Sequence, residues 1–260
     1  MVVPRPGVSF TSGQRPWFHT FGFGFDELRN DYKVVAIMSL QGDVYQPRVE
    51  VYSLNSGIWR EISPKGLIYT LPLGAPHAYL NGIAHWVATD YRKPRSNAKR
   101  SCILTFSIKD EVFGEMILPE VGTMQTEIMV TVLQNSLAVI YIDYNFGDGE
   151  VPGCWVWMMK NYSVEESWSL LFRVDHSRVL DWPVGFKVNG ELVMKTRAVS
   201  LVSYDPKNKQ VKDLGIHGCK IQNGAIDSFY LGKYVESLVL LDREASAPVH
   251  MGTSDGSLLI

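Results

Sequence analysis

Apolar and polar positions alternate along most of this chain in short runs, and helical spacing is nearly absent. Period-two alternation sends one face of a segment into a core and the other outward, the signature of β-strands. The stretch from Val130 to Val174 shows it best: VTVLQNSLAVIYIDY and CWVWMMKNYSVEESWSLLFRV read as four strands in succession. Its parts recur. Asn135 lies in a turn between two apolar runs; Asn81 has the same setting 54 positions earlier (135 − 81), and Asn189 54 positions later (189 − 135). A second class of turn keeps step, since Asn55 in YSLNSGIW and Lys109 in FSIKDEVF are also 54 apart (109 − 55). Two signals in phase make the chain a repeat of four-stranded units.

Taken in order, residues 1–16 form an extended lead-in marked by Pro4, Pro6 and Pro16. The domain proper spans 17–242. It opens with the strand WFHTFGFGFD, the turn ELRND and the strand YKVVAIMSL; QGDVYQP then reads as a loop before the hairpin RVEVYSL–NSG–IWREI. In the second unit Asn81-Gly82 separates PHAYL from IAHWVA, a pairing that favours a type I′ hairpin turn. A fifth unit begins at DSFYL and YVESLVLLD and then stops, and residues 243–260 read as a flexible tail without a strand pair. A short turn near Val164 to Trp168 is the best helical candidate. The expected fold is all-β: a β-propeller of kelch-like type with four-stranded antiparallel blades, incomplete at roughly four and a half blades.

That architecture sorts the connections. Turns between first and second strands, and between third and fourth, fall on one face of the disc and are tight here. Connections between second and third strands, and between blades, fall on the other. There the sequence places its long segments: Gln41 to Pro47, Thr89 to Ser101, Asp143 to Gly153, and the links at Pro64 to Pro76 and Asp175 to Pro183. All length variation is expected on that side, and binding residues gather on variable loops held by a rigid scaffold. Tyr91, Arg92, Lys93, Arg95, Tyr144, Asn145, Phe146 and Asp148 are therefore the candidate partner-binding residues, because aromatic and Arg side chains anchor interfaces.

Composition narrows the chemistry. With 46% apolar residues among 260, the chain can bury a sizeable core, and a net charge of −2 without a basic block argues against nucleic acid. No apolar run reaches the length of about 20 residues that spans a bilayer as a helix, and the start does not resemble a signal peptide. Three widely spaced cysteines fit reduced thiols, and a cytoplasmic or nuclear protein is expected. The six histidines are scattered, so no metal site is expected, and no cofactor. FGFGFD lacks the third glycine of a dinucleotide loop; its glycines read as room for close packing. No GxSxG elbow supports a catalytic triad, so no catalytic residue is assigned. Trp59, Trp86, Trp155, Trp157 and Trp168 lie within strands and read mostly as blade-to-blade core.

FGFGFDELRNDYKVV, YSLNSGIWREI, YLNGIAHWVA, ILTFSI, VWMMKNYSVEESWSLLF, LVSYDPKNKQVKDLGI and YVESLVLL together resemble the plant F-box-associated interaction domain, type 1, over roughly Phe18 to Asp242. The resemblance implies a protein-interaction module: the substrate-recognition part of an F-box protein in a Skp–cullin–F-box ubiquitin ligase, not an enzyme. It implies a protein substrate as partner, and the Skp adaptor only where an F-box is present. Nothing ahead of Trp17 resembles the leucine-rich helical segment that grips the adaptor, so the chain by itself is not expected to bind it. The alternatives are a sugar-binding or enzymatic propeller, or a non-functional truncated paralogue. With a Pro-rich segment ahead of FGFGFD, the ring is expected to stay open, leaving strand edges at Phe18 to Phe25 and Tyr234 to Leu241 unpaired.

Overall fold

Alternation along the chain becomes four antiparallel sheets, each a meander whose neighbours follow chain order. The computed structural model describes residues 2–4, 6, 16–40, 43–64, 69, 71, 77–90, 100–120, 127–143, 153–175, 180–218, 229, 231–232 and 258–259. After a short β1 (Val2–Val3), the first blade comprises β2 (Pro16–Asp26), β3 (Asp31–Leu40), β4 (Asp43–Ser53) and β5 (Ile58–Ile62). The second comprises β6 (Ala78–Leu80), β7 (Ile83–Asp90), β8 (Arg100–Ser107) and β9 (Val112–Met116). The third is β10 (Glu127–Leu133), β11 (Ser136–Asp143), β12 (Gly153–Met159) and β13 (Trp168–Asp175). The fourth is β14 (Leu180–Phe186), β15 (Leu192–Thr196), β16 (Ser200–Asp205) and β17 (Gln210–His217). The helical candidate is a single 3-10 turn, Glu165–Ser167.

First strands meet across blades: β2 touches β6 and β7, β6 and β7 touch β10, and β10 touches β14. They are the innermost strands of a propeller, and the blades pack face to face around them. Blades 1 and 2 share a core of Val35, Ile37, Val49 and Val51 with Trp86, Leu104, Phe106 and Ile108. Gly22 and Gly24 permit it. A Cβ on Gly22 would sit 2.4 Å from Trp86, and one on Gly24 2.4 Å from Tyr79, so only glycine lets the second blade approach this closely. The packing reading of FGFGFD holds.

The outer-hairpin period is structural between the first two blades. The ladders end at Ser53↔Ile58 and Ser107↔Val112, 54 apart on both strands (107 − 53, 112 − 58). In each turn the fourth residue has left-handed φ (72° at Gly57, 57° at Glu111), and its N–H returns to the Ser53 or Ser107 carbonyl. The asparagine period is looser. Asn81 and Gly82 both take positive φ (54° and 77°), as a type I′ turn requires. In the third blade, however, the turn is Gln134-Asn135 and the positive φ, 57°, falls on Gln134. The fourth has a longer connection, 187–191, in which the Asn189 side chain accepts a bond from the Glu191 N–H. What recurs is the hairpin; the residue within it slips by one.

Other expectations change. Gln41 to Pro47 is not a loop, because β4 already starts at Asp43. Asp175 to Pro183 is only partly a link, because β14 starts at Leu180. Length variation is not confined to one face: the β12–β13 connection, 160–167, lies on the tight-turn face, whereas β15 and β16 are joined by 197–199 on the other. The tail does carry a strand pair, since β18 (Leu258–Leu259) lies antiparallel to β1. The inner edge of β2 is not bare. Phe23 N donates to His77 Nε2 (3.2 Å), Phe25 N to Tyr79 Oη (3.1 Å), and Trp86 Nε1 donates to the Phe21 carbonyl (3.1 Å). The other expected edge, Tyr234 to Leu241, lies outside the described residues, as does most of the fifth unit. Leu231 lies against Gly185 of β14.

Candidate functional site

The loop face is built on the longest inner ladders. β7 and β8 stay paired from Ile83↔Ser107 to Asp90↔Arg100, and β11 and β12 as far as Asp143↔Gly153. Both are second-to-third connections, so segments 91–99 and 144–152 leave from and return to the same face of the disc. The eight candidate residues, Tyr91, Arg92, Lys93, Arg95, Tyr144, Asn145, Phe146 and Asp148, lie on these segments, outside the described residues. Their footings are rigid. Val139, Ile140 and Ile142 on β11, and Cys154 and Val156 on β12, are all fully buried.

At the foot of the second segment the structure sets Trp155, which the sequence placed in the core between blades, against Arg173, which sequence reasoning passed over. The Arg173 guanidinium lies 4.8 Å from the centroid of the Trp155 ring, and its Nε is 3.2 Å from Asp175 Oδ1. Cation–π attraction to the indole face and the bond to Asp175 both hold the guanidinium at this place. The only sequence signal for this pair was their presence on neighbouring strands. A Cβ on Gly153 would sit 2.6 Å from the Val174 carbonyl, so here β12 lies unusually close to β13. The Cys154 thiol beside it is buried, which pushes it up to about 12 and leaves it unreactive.

On the opposite face, blades 1 and 2 are joined by buried charge. Lys33 Nζ, on a side chain 4% exposed, donates to Asp26 Oδ2 (2.8 Å), Glu111 Oε1 (3.0 Å) and the Ile108 carbonyl (3.1 Å), which uses all three of its protons. Arg29 adds a bond to Asp26 (2.9 Å) and one to the Lys109 carbonyl (2.9 Å), and Arg60 pairs with Glu111. Burial alone would raise the Asp26 carboxyl, but the hydrogen bonds from Lys33 and Arg29 outweigh it and bring it to about 2. A lysine inside the apolar run YKVVAIM was the available sequence signal for this cluster.

The buried histidines serve as joints. His85 lies in a wholly buried site, with Nδ1 3.1 Å from the Ala78 carbonyl and Nε2 2.8 Å from Tyr162 Oη in the third blade. This is a neutral ring donating from Nδ1 and accepting at Nε2, and desolvation lowers it to about 4. His77 accepts from Phe23 and is also lowered by burial. Both rings are committed to the fold, so neither is poised to exchange protons with a substrate. Among the described residues no group of three or more His, Cys, Asp or Glu could hold a metal ion. Among the same residues no helix is long and apolar enough to cross a membrane.

Comparison with known proteins places this arrangement. F-box protein At3g07870 of Arabidopsis thaliana is 28% identical over 242 residues, covering 76% of this chain and 55% of the relative. F-box protein CPR1 of the same plant is 26% identical over 264 residues, covering 92% of this chain and 60% of the relative. The chain thus spans somewhat over half the length of these curated relatives. Among solved structures, the SapL1 lectin in complex with alpha methyl fucoside is similar at a TM-score of 0.45 and 9% identity, over 77% of this chain and 63% of the lectin. That likeness is too loose to bear on function. Residues 10–241 match the F-box associated beta propeller domain. A match over nearly all of the chain, on four blades of the expected build, settles the family: this chain belongs to the F-box associated β-propeller domains.

Proposed function

We propose that this chain is the substrate-recognition part of an F-box protein and binds a protein partner on its loop face. Tyr91, Arg92, Lys93, Arg95, Tyr144, Asn145, Phe146 and Asp148 supply the anchors. The observation that carries this reading is the pair of ladders ending at Asp90↔Arg100 and Asp143↔Gly153, which set two segments rich in Tyr, Arg and Phe on one face of a rigid disc. Loops so mounted are the usual place for recognition. The name F-box, shared by the relatives, supports the second half of the reading. In the full-length protein an F-box would hold the Skp adaptor, and the propeller would deliver its partner to a Skp–cullin–F-box ubiquitin ligase in the cytoplasm or nucleus. The role is binding, not catalysis: the buried histidines and the Cys154 thiol are held in structural contacts.

The test is an affinity capture from plant extract, quantified against two variants, one with Tyr91, Arg92, Lys93 and Arg95 changed to Ala and one with Tyr144, Asn145, Phe146 and Asp148 changed to Ala. Partners that bind the parent chain should be lost from one or both variants, while melting temperatures stay within about 2 °C, as expected for surface changes. The same partner should become ubiquitinated when the chain is fused behind an F-box and supplied with adaptor and cullin. Capture that is indifferent to both loop variants would overturn the loop-face assignment.

A further inference from the structure

The outer seam between the second and third blades has a make-up that its neighbour lacks. Residues directly opposite in an antiparallel pair share a face. Across β12 and β13, Trp155 stands opposite Arg173, Trp157 opposite Leu170, and Met159 opposite Trp168. All three tryptophans pack on a core to which blade 2 contributes Val87, Ile103 and Met116, so this face looks toward blade 2. From the other side, Val112 lies on the same side of β9 as Met116, with Gly114 between them. Trp168 Nε1 donates to the Ile117 carbonyl (3.0 Å) and ties the two sides together.

Two features of this seam are unusual. Large apolar side chains stand open along it: Val112 is 57% exposed and Leu170 49%. In addition, Trp157 Nε1 is buried with no hydrogen-bond partner among the described residues. A register shift at Val156/Trp157 skips Leu171, which leaves Leu170 and Leu171 both on the surface. β13 is also the outermost strand of its blade, with one edge unpaired by any strand among the described residues.

We infer that this seam is a docking site for an extended peptide segment of a protein partner, one that carries apolar side chains next to a carboxylate. Exposed apolar surface clustered beside an orphaned donor is what an occupied groove leaves when its ligand is absent. The peptide lies along β13, whose edge offers backbone donors and acceptors to an added strand. Its apolar side chains cover Val112 and Leu170, and one of its oxygens accepts from Trp157, whose half-buried ring shifts to meet it. Arg173 selects the charge. Its guanidinium lies over the Trp155 ring, and Asp175, one of its partners, is 68% exposed, a pairing screened by solvent that an incoming carboxylate can replace. This inference rests on reading the chain as an interaction module but concerns the outer edge of the disc, which meets the loop face only at Arg173.

The experiment uses the full chain and an array of synthetic eight-residue peptides. These alternate Leu, Val or Phe with Ser or Thr and carry Glu at one position; a matched set carries Lys there. Binding is followed by the indole N–H resonances of protein labelled with nitrogen-15 at tryptophan, with Trp157 assigned through Trp157→Phe. Members of the Glu set should move the Trp157 resonance and bind at least tenfold more tightly than their Lys counterparts. Leu170→Asp should abolish binding, and Arg173→Glu should erase the preference for Glu; both sites are on the surface, and melting curves check that each variant folds. The proposal falls if no peptide moves the Trp157 resonance, or if Arg173→Glu leaves the Glu-to-Lys ratio unchanged. It also falls if sedimentation shows that the chain dimerises through this seam, with Leu170→Asp yielding the monomer, because the occupant is then a second copy. The loop-face alanine variants separate the two readings. If they lose extract partners while the array stays silent, only the seam proposal fails; if both stay silent, the interaction reading fails with it.

Discussion

The seam between blades 1 and 2 and the seam between blades 2 and 3 are built from the same repeat, yet they are closed by different physics. In the first, glycines at 22 and 24 let the blades approach. Phe23 and Phe25 hand their N–H groups to His77 and Tyr79, and a buried lysine bridges two carboxylates at the rim. In the second, the joints are aromatic: His85 to Tyr162, Tyr141 to the Pro119 carbonyl, and Trp168 to the Ile117 carbonyl. One indole N–H is left over among the described residues. A seam sealed by satisfied charge has little to offer a ligand. One lined with half-covered aromatics has both surface and an unmet donor. Equivalent interfaces in a repeat can therefore differ in what they leave open, one closed by paired charge and the other keeping exposed apolar side chains.

The strongest way to break that contrast is to remove Lys33. Lys33→Ala leaves Asp26 and Glu111 facing each other without their shared cation, and breaking a buried pair in this way costs about 3–5 kcal/mol. Urea denaturation should show a loss of that size, and a loss below about 1 kcal/mol would mean the cluster is not what joins these blades. Crowding the same seam comes next. Gly22→Ala places a methyl group against Trp86 and should cost about 1–3 kcal/mol, as overpacking does, whereas an alanine at the open turn position Gly57 meets no atom within 4 Å. The Gly57 variant bears only the strain of its positive φ, and comparing the two separates packing from backbone effects.

Acid should open the seams in order. In the unfolded chain His85 takes up a proton near its ordinary value of 6.5, but in the fold it does not until about 4. Between those values the unfolded state binds more protons, so stability falls as pH drops through that window. Asp26 acts lower, because its ordinary value of 3.8 is brought to about 2 in the fold; its contribution is whole above 3.8 and is lost as pH falls through 2. Denaturant midpoints measured from pH 7 to 4 should decline, and His85→Gln should flatten that decline. An unchanged slope in the variant would remove His85 from the account. The smallest expected effect is at the second seam. Trp157→Phe removes an unsatisfied N–H whose burial costs about 1–3 kcal/mol, offset by lost ring contacts, so stability should shift by less than about 1 kcal/mol. A large loss would show that the indole N–H has a partner after all.

The eight loop residues were chosen from residue type and face, and the structure adds only the footings of the segments that carry them. What was legible in the sequence was local. Period-two alternation fixes strands because side chains on a pleated chain point to alternate sides, and Asn81-Gly82 fixes its turn because few residues tolerate left-handed φ twice running. The outer hairpins of the first two blades kept the 54-residue phase to the residue, while those of the third and fourth, closing at Met159↔Trp168 and Asp205↔Gln210, left it. The inner ones did not keep it either, since a two-residue turn can be entered one position earlier, as at Gln134, without disturbing the ladder. Strand starts at Asp43 and Leu180 were also missed, because each strand runs through a proline, Pro47 or Pro183, while a neighbouring strand still pairs with it on the far side. The burial of Lys33, the placing of Arg173 over Trp155 and the orphaned N–H of Trp157 were beyond local reading. Each depends on which residue a second strand or blade sets opposite, and that is decided only when the blades close on one another. Sequence by itself determined four-stranded units and their period; tertiary packing decided which charges are buried, which aromatics are sealed, and which seam is left open.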